Sequence, residues 1–274
     1  MSVVRTTPQP SSLEPPRDEV RRRLERRRER LISTLSPLML LVLWELSSRL
    51  ELIDIRFFSR PSWILMTLVS MAADGELFRH IGISLLRVML GFLLAAVPGV
   101  LMGLSMGLFR PVRAALEPII AALYPIPKLA LLPLLLLIFG HGEMFKVMTI
   151  GLGCVLLIAV NTFAGVANIN PIYLDVARNF GASRRDYYLT IALPGALPMI
   201  FTGLKLGMGV ALLLIVAAEM IGAQSGIGYL IWTSYQVFAL EQMYVGLILM
   251  AFFGYVSTSS INLLERWLVP WQHD

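Results

Sequence analysis

The sequence predicts an all-α integral membrane protein with about six transmembrane helices and both termini in the cytoplasm. Hydrophobic residues make up 57% of the 274 residues and charged residues only 15%. The mean hydropathy of +0.72 lies well above that of soluble domains. Apolar runs recur along the chain at about the 20 residues needed to cross about 30 Å of hydrocarbon. Arginines gather in the N-terminal tail and in alternate connections, the bias that marks cytoplasmic segments.

Residues 1–32 form a basic tail holding nine of the twenty arginines, with too few large apolar side chains to fold alone. Its run "RDEVRRRLERRRER" at 17–30 reads as flexible chain or a surface helix. Asp18–Arg22 and Glu19–Arg23 sit at i,i+4 spacing, and the net positive charge suits anionic membrane lipid. No interleaved aromatics accompany it, so nucleic acid is not an expected partner.

The membrane domain is expected over residues 33–269, with a short C-terminal tail at 270–274. The first span, 34–50, carries Glu45 and Arg49 in its last turns, where their heads reach the interface; it reads as a retained anchor, since no cleavage site follows it. Residues 57–72 are too short and interrupted to cross and read as an interfacial helix. The second span, 86–109, is uncharged for 22 residues from Val88, and the sixth, 242–264, for 23. The fourth, 146–163, closes at Asn161 and the polar residues after it. The third, 117–139, and the fifth, 197–219, each hold one lysine, Lys128 and Lys205. Residues 220–240 are uncharged but contain Gln224, Ser225, Thr233, Ser234 and Gln236, and read as a surface or re-entrant segment. A seventh span there would instead put the C-terminus outside. With six spans, the basic connections at Arg110–Arg113 and Arg178–Arg185 fall inside, although Arg56, Arg60 and Arg79 then lie in an outside loop.

Several chemistries are excluded by residue type. Cys154 is the only cysteine, so neither an internal disulfide nor a thiolate metal site is possible. His80, His141 and His273 are far apart, and no GxxxxGK[ST] is present, so this chain is expected to bind no metal or nucleotide. If ATP is used, another chain binds it.

The stretch "DVARNFGASRRDYYLTIALPGALP" at 175–198 lies between two apolar runs. Asn170–Pro171 is a helix start, Asn170 capping free amides and Pro171 pre-set for the first turn. Ile172, Val176 and Phe180 then share one helical face, and Gly181 stops the helix with a left-handed residue. Ser183 and Asp186 have capping-box spacing for a second helix, which Leu193–Pro194 is expected to end. The product, over 171–194, is a bent pair of short helices shaped either as a docking knob or as an ordinary hairpin between spans.

From Asp175 the spacing is D-V-A, three residues, Gly181, nine residues, Ile191, one residue, Leu193–Pro194. It resembles the EAA loop of binding-protein-dependent ABC importer permeases, with Asp for Glu and Val for Ala at its first two letters. "SLLRVMLGF" at 84–92, "YPIPKLALLPLLLLIFGHGE" at 124–143, "VAAEM" at 216–220 and "SGIGYL" at 225–230 extend the resemblance to the nitrate, sulfonate, taurine and bicarbonate branch. The resemblance implies a MetI-like permease fold in the inner membrane of a prokaryote. It also implies a second permease subunit, two cytoplasmic ATPase subunits that use ATP and Mg, and an extracytoplasmic solute-binding protein. The EAA loop of that family docks on the ATPase. Carried over, Asp175, Val176, Ala177 and Gly181 form its core, Arg178, Ala182, Ser183 and Arg184 their neighbours, and Ile191, Leu193 and Pro194 its end.

Charges within spans are expensive and mark candidate pathway residues. Lys128 lies mid-span among Pro125, Pro127 and Pro133, which suggest a broken helix lining a cavity. It reads either as a site for an anionic solute or as a structural lysine. Lys205 reads as interfacial. Arg87, at the outer end of the second span, either attracts anions or meets lipid headgroups. Glu219 either holds a gate by pairing with a basic group or is a capped interfacial carboxylate. Gly226, Gly228 and Tyr229 either shape an outer gate or simply pack. Two other readings stand beside an anion importer: a permease for an uncharged heterocyclic precursor, and an ion-coupled secondary transporter, for which no inverted repeat is visible.

Overall fold

The computed structural model describes residues 17–170, 172, 173, 176, 179–181, 183 and 186–272, and these contain helices and no strands. The chain divides into two units, residues 1–63 and 64–274. In the first, helix α1 (Arg17–Arg49) runs without a break from the basic tail through the first apolar run. Arg49 bonds Glu45 at 2.7 Å, and the same carboxylate accepts from the N–H and hydroxyl of Ser62. Helix α2 (Pro61–Ala73) is 13 residues long, about 20 Å, too short to span.

The second unit is built on three long helices, α3 (Glu76–Leu108), α6 (Glu143–Ala167) and α7 (Leu193–Gly222). Gly91, Ala95, Gly99, Gly103 and Gly107 recur every fourth residue along α3. A Cβ on the glycines would strike Ile150, Ile158, Thr162 and Val166 in turn. The two series rise together, so α3 and α6 run parallel, held close by a small-residue ridge. Gly165 meets Met199, Gly203 meets Asn161 and Gly207 meets Ile158, so α7 runs antiparallel to α6. Phe92, Ile150, Cys154, Ile158, Met208 and Ile215 fill the core between them.

Parallel neighbours need a return path, and the third span supplies it in two pieces. Helix α4 (Arg110–Leu123) and the stretch from Lys128 through α5 (Leu132–Phe139) meet at 88°. The broken helix expected around Lys128 in the 117–139 span is this elbow, because Pro125 and Pro127 supply no N–H to continue the helix. Helix α8 (Ile227–Gln236) has ten residues, about 15 Å, which is half a bilayer. It buries Ile227, Leu230 and Ile231; residues 220–240 form no seventh span. Helix α9 (Leu240–Leu268) meets α8 where Gly246 faces Ile231. Lys205 of α7 and Glu265 of α9 pair at 2.6 Å, both part-buried. Lys205 thus ties α7 to α9. Among the described residues, five helices are long and apolar enough to cross, or six with the elbow as one span.

Candidate functional site

At the end of the second unit where α3 and α6 begin and α7 finishes, charges from three helices meet. His80, Ser84 and Arg87 lie on one face of α3 at i, i+4 and i+7. Arg87 is 4% exposed and Glu219, from α7, 0%. The Arg87 guanidinium donates from Nε and Nη2 to the two oxygens of Glu143, at 2.6 Å each, and from Nη1 to Glu219 at 2.8 Å and the Ser225 carbonyl at 2.7 Å. Lys146 Nζ, on the next turn of α6, reaches the same Glu143 at 3.0 Å. Two cations and two carboxylates thus neutralise each other, which is how buried charges are accommodated.

Glu219 also organises the start of α8. Its oxygens accept from the Ser84 hydroxyl at 2.8 and 2.9 Å and from the Gly228 N–H at 2.8 Å. The Ile227 N–H donates to Ser84 Oγ at 2.8 Å, and the Gly226 N–H to His80 Nδ1 at 2.9 Å. The free amides at the start of α8 are therefore satisfied by side chains of α3 and α7. Gly226 stands at φ 122°, ψ 167°, and a Cβ there would run into the Glu219 carboxylate. At Gly228 a Cβ would meet Val216 Cα at 2.8 Å and Glu219 Cβ at 2.9 Å. Tyr229 stacks on His80 with ring centroids 6.1 Å apart.

The structure brings Arg87, Glu219, Gly226, Gly228 and Tyr229 together. Arg87 lies three turns into α3, where it pairs with Glu143 and Glu219. Glu219 is buried and pairs with a basic group, one of the two readings its sequence position offered. Sequence reading missed His80, Ser84, Glu143 and Lys146; the i, i+4, i+7 spacing ending on Arg87 was the signal that could have found the first two. A cavity of about 540 Å³ opens against this cluster, lined by Arg87, Glu143, Lys146 and the 221–225 connection.

Lys128 stands apart, at the elbow. Its Nζ donates to the carbonyls of Leu123 at 3.3 Å and Tyr124 at 3.2 Å, and lies 5.7 Å from the Tyr124 ring centroid. Pro127, four residues after Leu123, has no N–H for that carbonyl, and the lysine supplies one. Among the described residues, no carboxylate pairs with it.

At the opposite end, Asn170 Oδ1 accepts from the Ile172 N–H at 3.0 Å. Ile172, Val176 and Phe180 are exposed, Phe180 by 86%. Gly181 has φ 65°, and the Ser183 and Asp186 side chains cap each other's backbone N–H at 3.2 Å. Asp175, Ala177, Arg178, Ala182 and Arg184 lie outside the described residues. The second helix does not end at Leu193–Pro194. It passes through a π-helical turn (Tyr187–Ala192) in which the Leu193 N–H reaches back to the Tyr188 carbonyl, and it continues as α7. The wider turn accommodates the missing N–H and the ring of Pro194. Ile191 and Pro194 line a cavity of about 420 Å³ with Tyr173 and Trp271.

Residues 95–273 match the family described as the inner membrane component of binding-protein-dependent transport systems. The chain belongs to this family. This permease is 35% identical to the taurine transport system permease protein of Escherichia coli K12 over 238 residues, covering 85% of this chain and 86% of the relative. It is 33% identical to a putative aliphatic sulfonates transport permease of Bacillus subtilis 168, with 87% of each chain covered. A nitrate import permease of Leptolyngbya laminosa is 36% identical over 197 residues, 72% of this chain and 71% of the relative. Among solved structures, the methionine ABC transporter MetNI in an inward-facing form superposes with a TM-score of 0.62 at 17% identity, over 72% of this permease and 98% of that chain. The permease is a multi-pass inner-membrane transport subunit with a MetI-like fold.

Proposed function

We propose that this permease forms the pathway of an ATP-driven importer for a small anion of the taurine, sulfonate or nitrate type, and couples to a cytoplasmic ATPase through residues 171–194. The observation that carries the coupling is the apolar face of Ile172, Val176 and Phe180, exposed on a bend held by Gly181 and the Ser183–Asp186 box. An apolar patch fixed outside the spans is a contact waiting for a protein surface. Asp175, Ala177, Arg178, Ala182 and Arg184 belong to the same contact, and Ile191, Leu193 and Pro194 pass its movement into α7. ATP and Mg are bound by the partner, two copies of which serve two permease subunits, most simply a homodimer, in anionic membrane lipid. A solute-binding protein delivers the anion at the opposite, outer end, and both termini face the cytoplasm. Gly226, Gly228 and Tyr229, latched through Glu219 and Arg87, form the outer gate, and Lys128 lines the path.

The test is Gly181→Val in the reconstituted importer. A β-branched residue is poorly tolerated at φ 65°, so ATP-driven uptake is expected to fall at least about tenfold, equivalent to about 1.4 kcal/mol of coupling. A variant with wild-type uptake per ATP hydrolysed would defeat this reading of the loop.

A further inference from the structure

The Arg87 cluster contains an asymmetry that its structural role leaves unexplained. Glu219 is buried and is held by the Arg87 guanidinium, the Ser84 hydroxyl and the Gly228 N–H. Glu143 presents the opposite case: its side chain is 64% exposed, although both cations it touches are almost completely buried, Arg87 at 4% and Lys146 at 3%. An exposed carboxylate therefore covers a buried set of three donors: Arg87 Nε and Nη2 in a planar fork, and Lys146 Nζ. The fork matches any group with two or three coplanar or clustered oxygens, and it is pre-organised by the second carboxylate behind it. The cavity of about 540 Å³ against the cluster is within the range of small-molecule sites. Gly140 and Gly142, just before Glu143, have open space where a Cβ would stand.

Charge balance favours exchange over simple addition. With Glu143 in place, Arg87 and Lys146 are neutralised by Glu143 and Glu219. A monoanion that took the place of the Glu143 carboxylate would leave the buried count unchanged, whereas a neutral or cationic solute would leave a buried cation unpaired. We infer that Glu143 is a built-in stand-in for the transported anion, and that a small oxyanion, sulfonate or nitrate in its chemistry, displaces it from the Arg87–Lys146 fork on entering the permease. The inference rests on the reading that the solute is an anion. It assigns an entry subsite, with Arg87 and Lys146 as ligand-binding residues and Glu143 as their competitor.

The experiment uses the full-length permease, purified with its partner subunits in phosphatidylcholine nanodiscs, and titrates it calorimetrically with methanesulfonate, nitrate and chloride. If the carboxylate holds its seat about nine-tenths of the time, removing it exposes the site fully and tightens apparent affinity by about tenfold. Glu143→Gln is expected to show that gain for methanesulfonate and nitrate, and adding Lys146→Met is expected to abolish it. Glu143→Ala should behave as Glu143→Gln does and covers the case in which an amide remains in the fork. Unchanged affinity in both single variants would overturn the inference, as would an equal gain for chloride, which cannot use a fork. Unfolding of both would make Glu143 a fixed structural counter-ion and would equally overturn it. ATP-driven uptake by the wild-type importer tests the anion reading separately, so a transporter that moves only uncharged solutes fails that reading whatever the titration gives.

Discussion

Replacing Glu219 by glutamine removes one charge from a fully buried pair and changes almost no volume. Its surroundings consist of donors: Arg87 Nη1 at 2.8 Å, the Gly228 N–H at 2.8 Å, and a Ser84 hydroxyl that already receives the Ile227 N–H. A carboxylate offers two acceptor oxygens, and an amide only one. The glutamine NH₂ must therefore face either Arg87 or Gly228, leaving a buried donor unmet beside an arginine that has lost its counter-charge. Breaking a buried pair in this way costs about 3–5 kcal/mol. At about 2–4 °C per kcal/mol for a chain of this size, the apparent Tm is expected to fall on the order of 6–20 °C. Heated samples of the detergent-purified permease, followed by fluorescence-detected size exclusion, give that Tm. Glu117→Gln is the internal comparison, because its pair with Arg113 is exposed on both sides and is worth about 1 kcal/mol or less. If Glu219→Gln melts within about 2 °C of wild type, Glu219 does not hold this end of the structure together and the latch reading is wrong.

Three further outcomes follow from single sites. Gly226→Ala puts a side chain on a residue at φ 122° and into the Glu219 carboxylate; backbone strain alone is about 1–3 kcal/mol, and limited proteolysis is expected to cut faster in 223–228 than in wild type. Gly103→Leu cannot fit where Thr162 Cβ and the Ala159 carbonyl already crowd a bare Cβ; overpacking of about 1–3 kcal/mol should lower the yield of monodisperse protein, with Gly82→Leu, which faces open space, as the tolerated control. Lys128→Met takes the donor from the Leu123 and Tyr124 carbonyls; uptake of an anionic solute is expected to fall by about tenfold, near 1.4 kcal/mol, with assembly intact, and unchanged transport kinetics would remove Lys128 from the pathway.

The spans were legible because hydrocarbon thickness sets their length, and the proline-rich elbow was legible because Pro125 and Pro127 cannot continue a helix. Their ends were less so. The second span was started at residue 86 because Arg87 read as its outer end, yet α3 begins at Glu76. A lone sequence cannot show that Arg87 finds Glu143 and Glu219, 56 and 132 residues away, and without those partners a charge in a span looks like its edge. The capping box at Ser183–Asp186 was readable from local spacing, since both partners sit within one turn. The π-helical turn was not: Pro194 reads as a stop in any α-helical register, and only a change of register lets the chain pass it. The tie of Lys205 was equally hidden, its partner Glu265 being 60 residues on.

The ten-residue α8 has consequences for the order in which the chain matures. Alone it is below the length at which a helix holds together in water, and its opening amides depend on His80 and Ser84, which precede Gly226 and Ile227 by 146 and 143 residues. At translation speeds of about 5–20 residues per second, roughly 7–30 s separate the synthesis of the two sides. For most of that interval the nascent chain holds Arg87 without Glu219, and at its end Glu219 without Gly228. The segment after Gln224 therefore acts as a seal set last, and a ribosome that stalls before it leaves a bundle whose buried charges are still short of their partners.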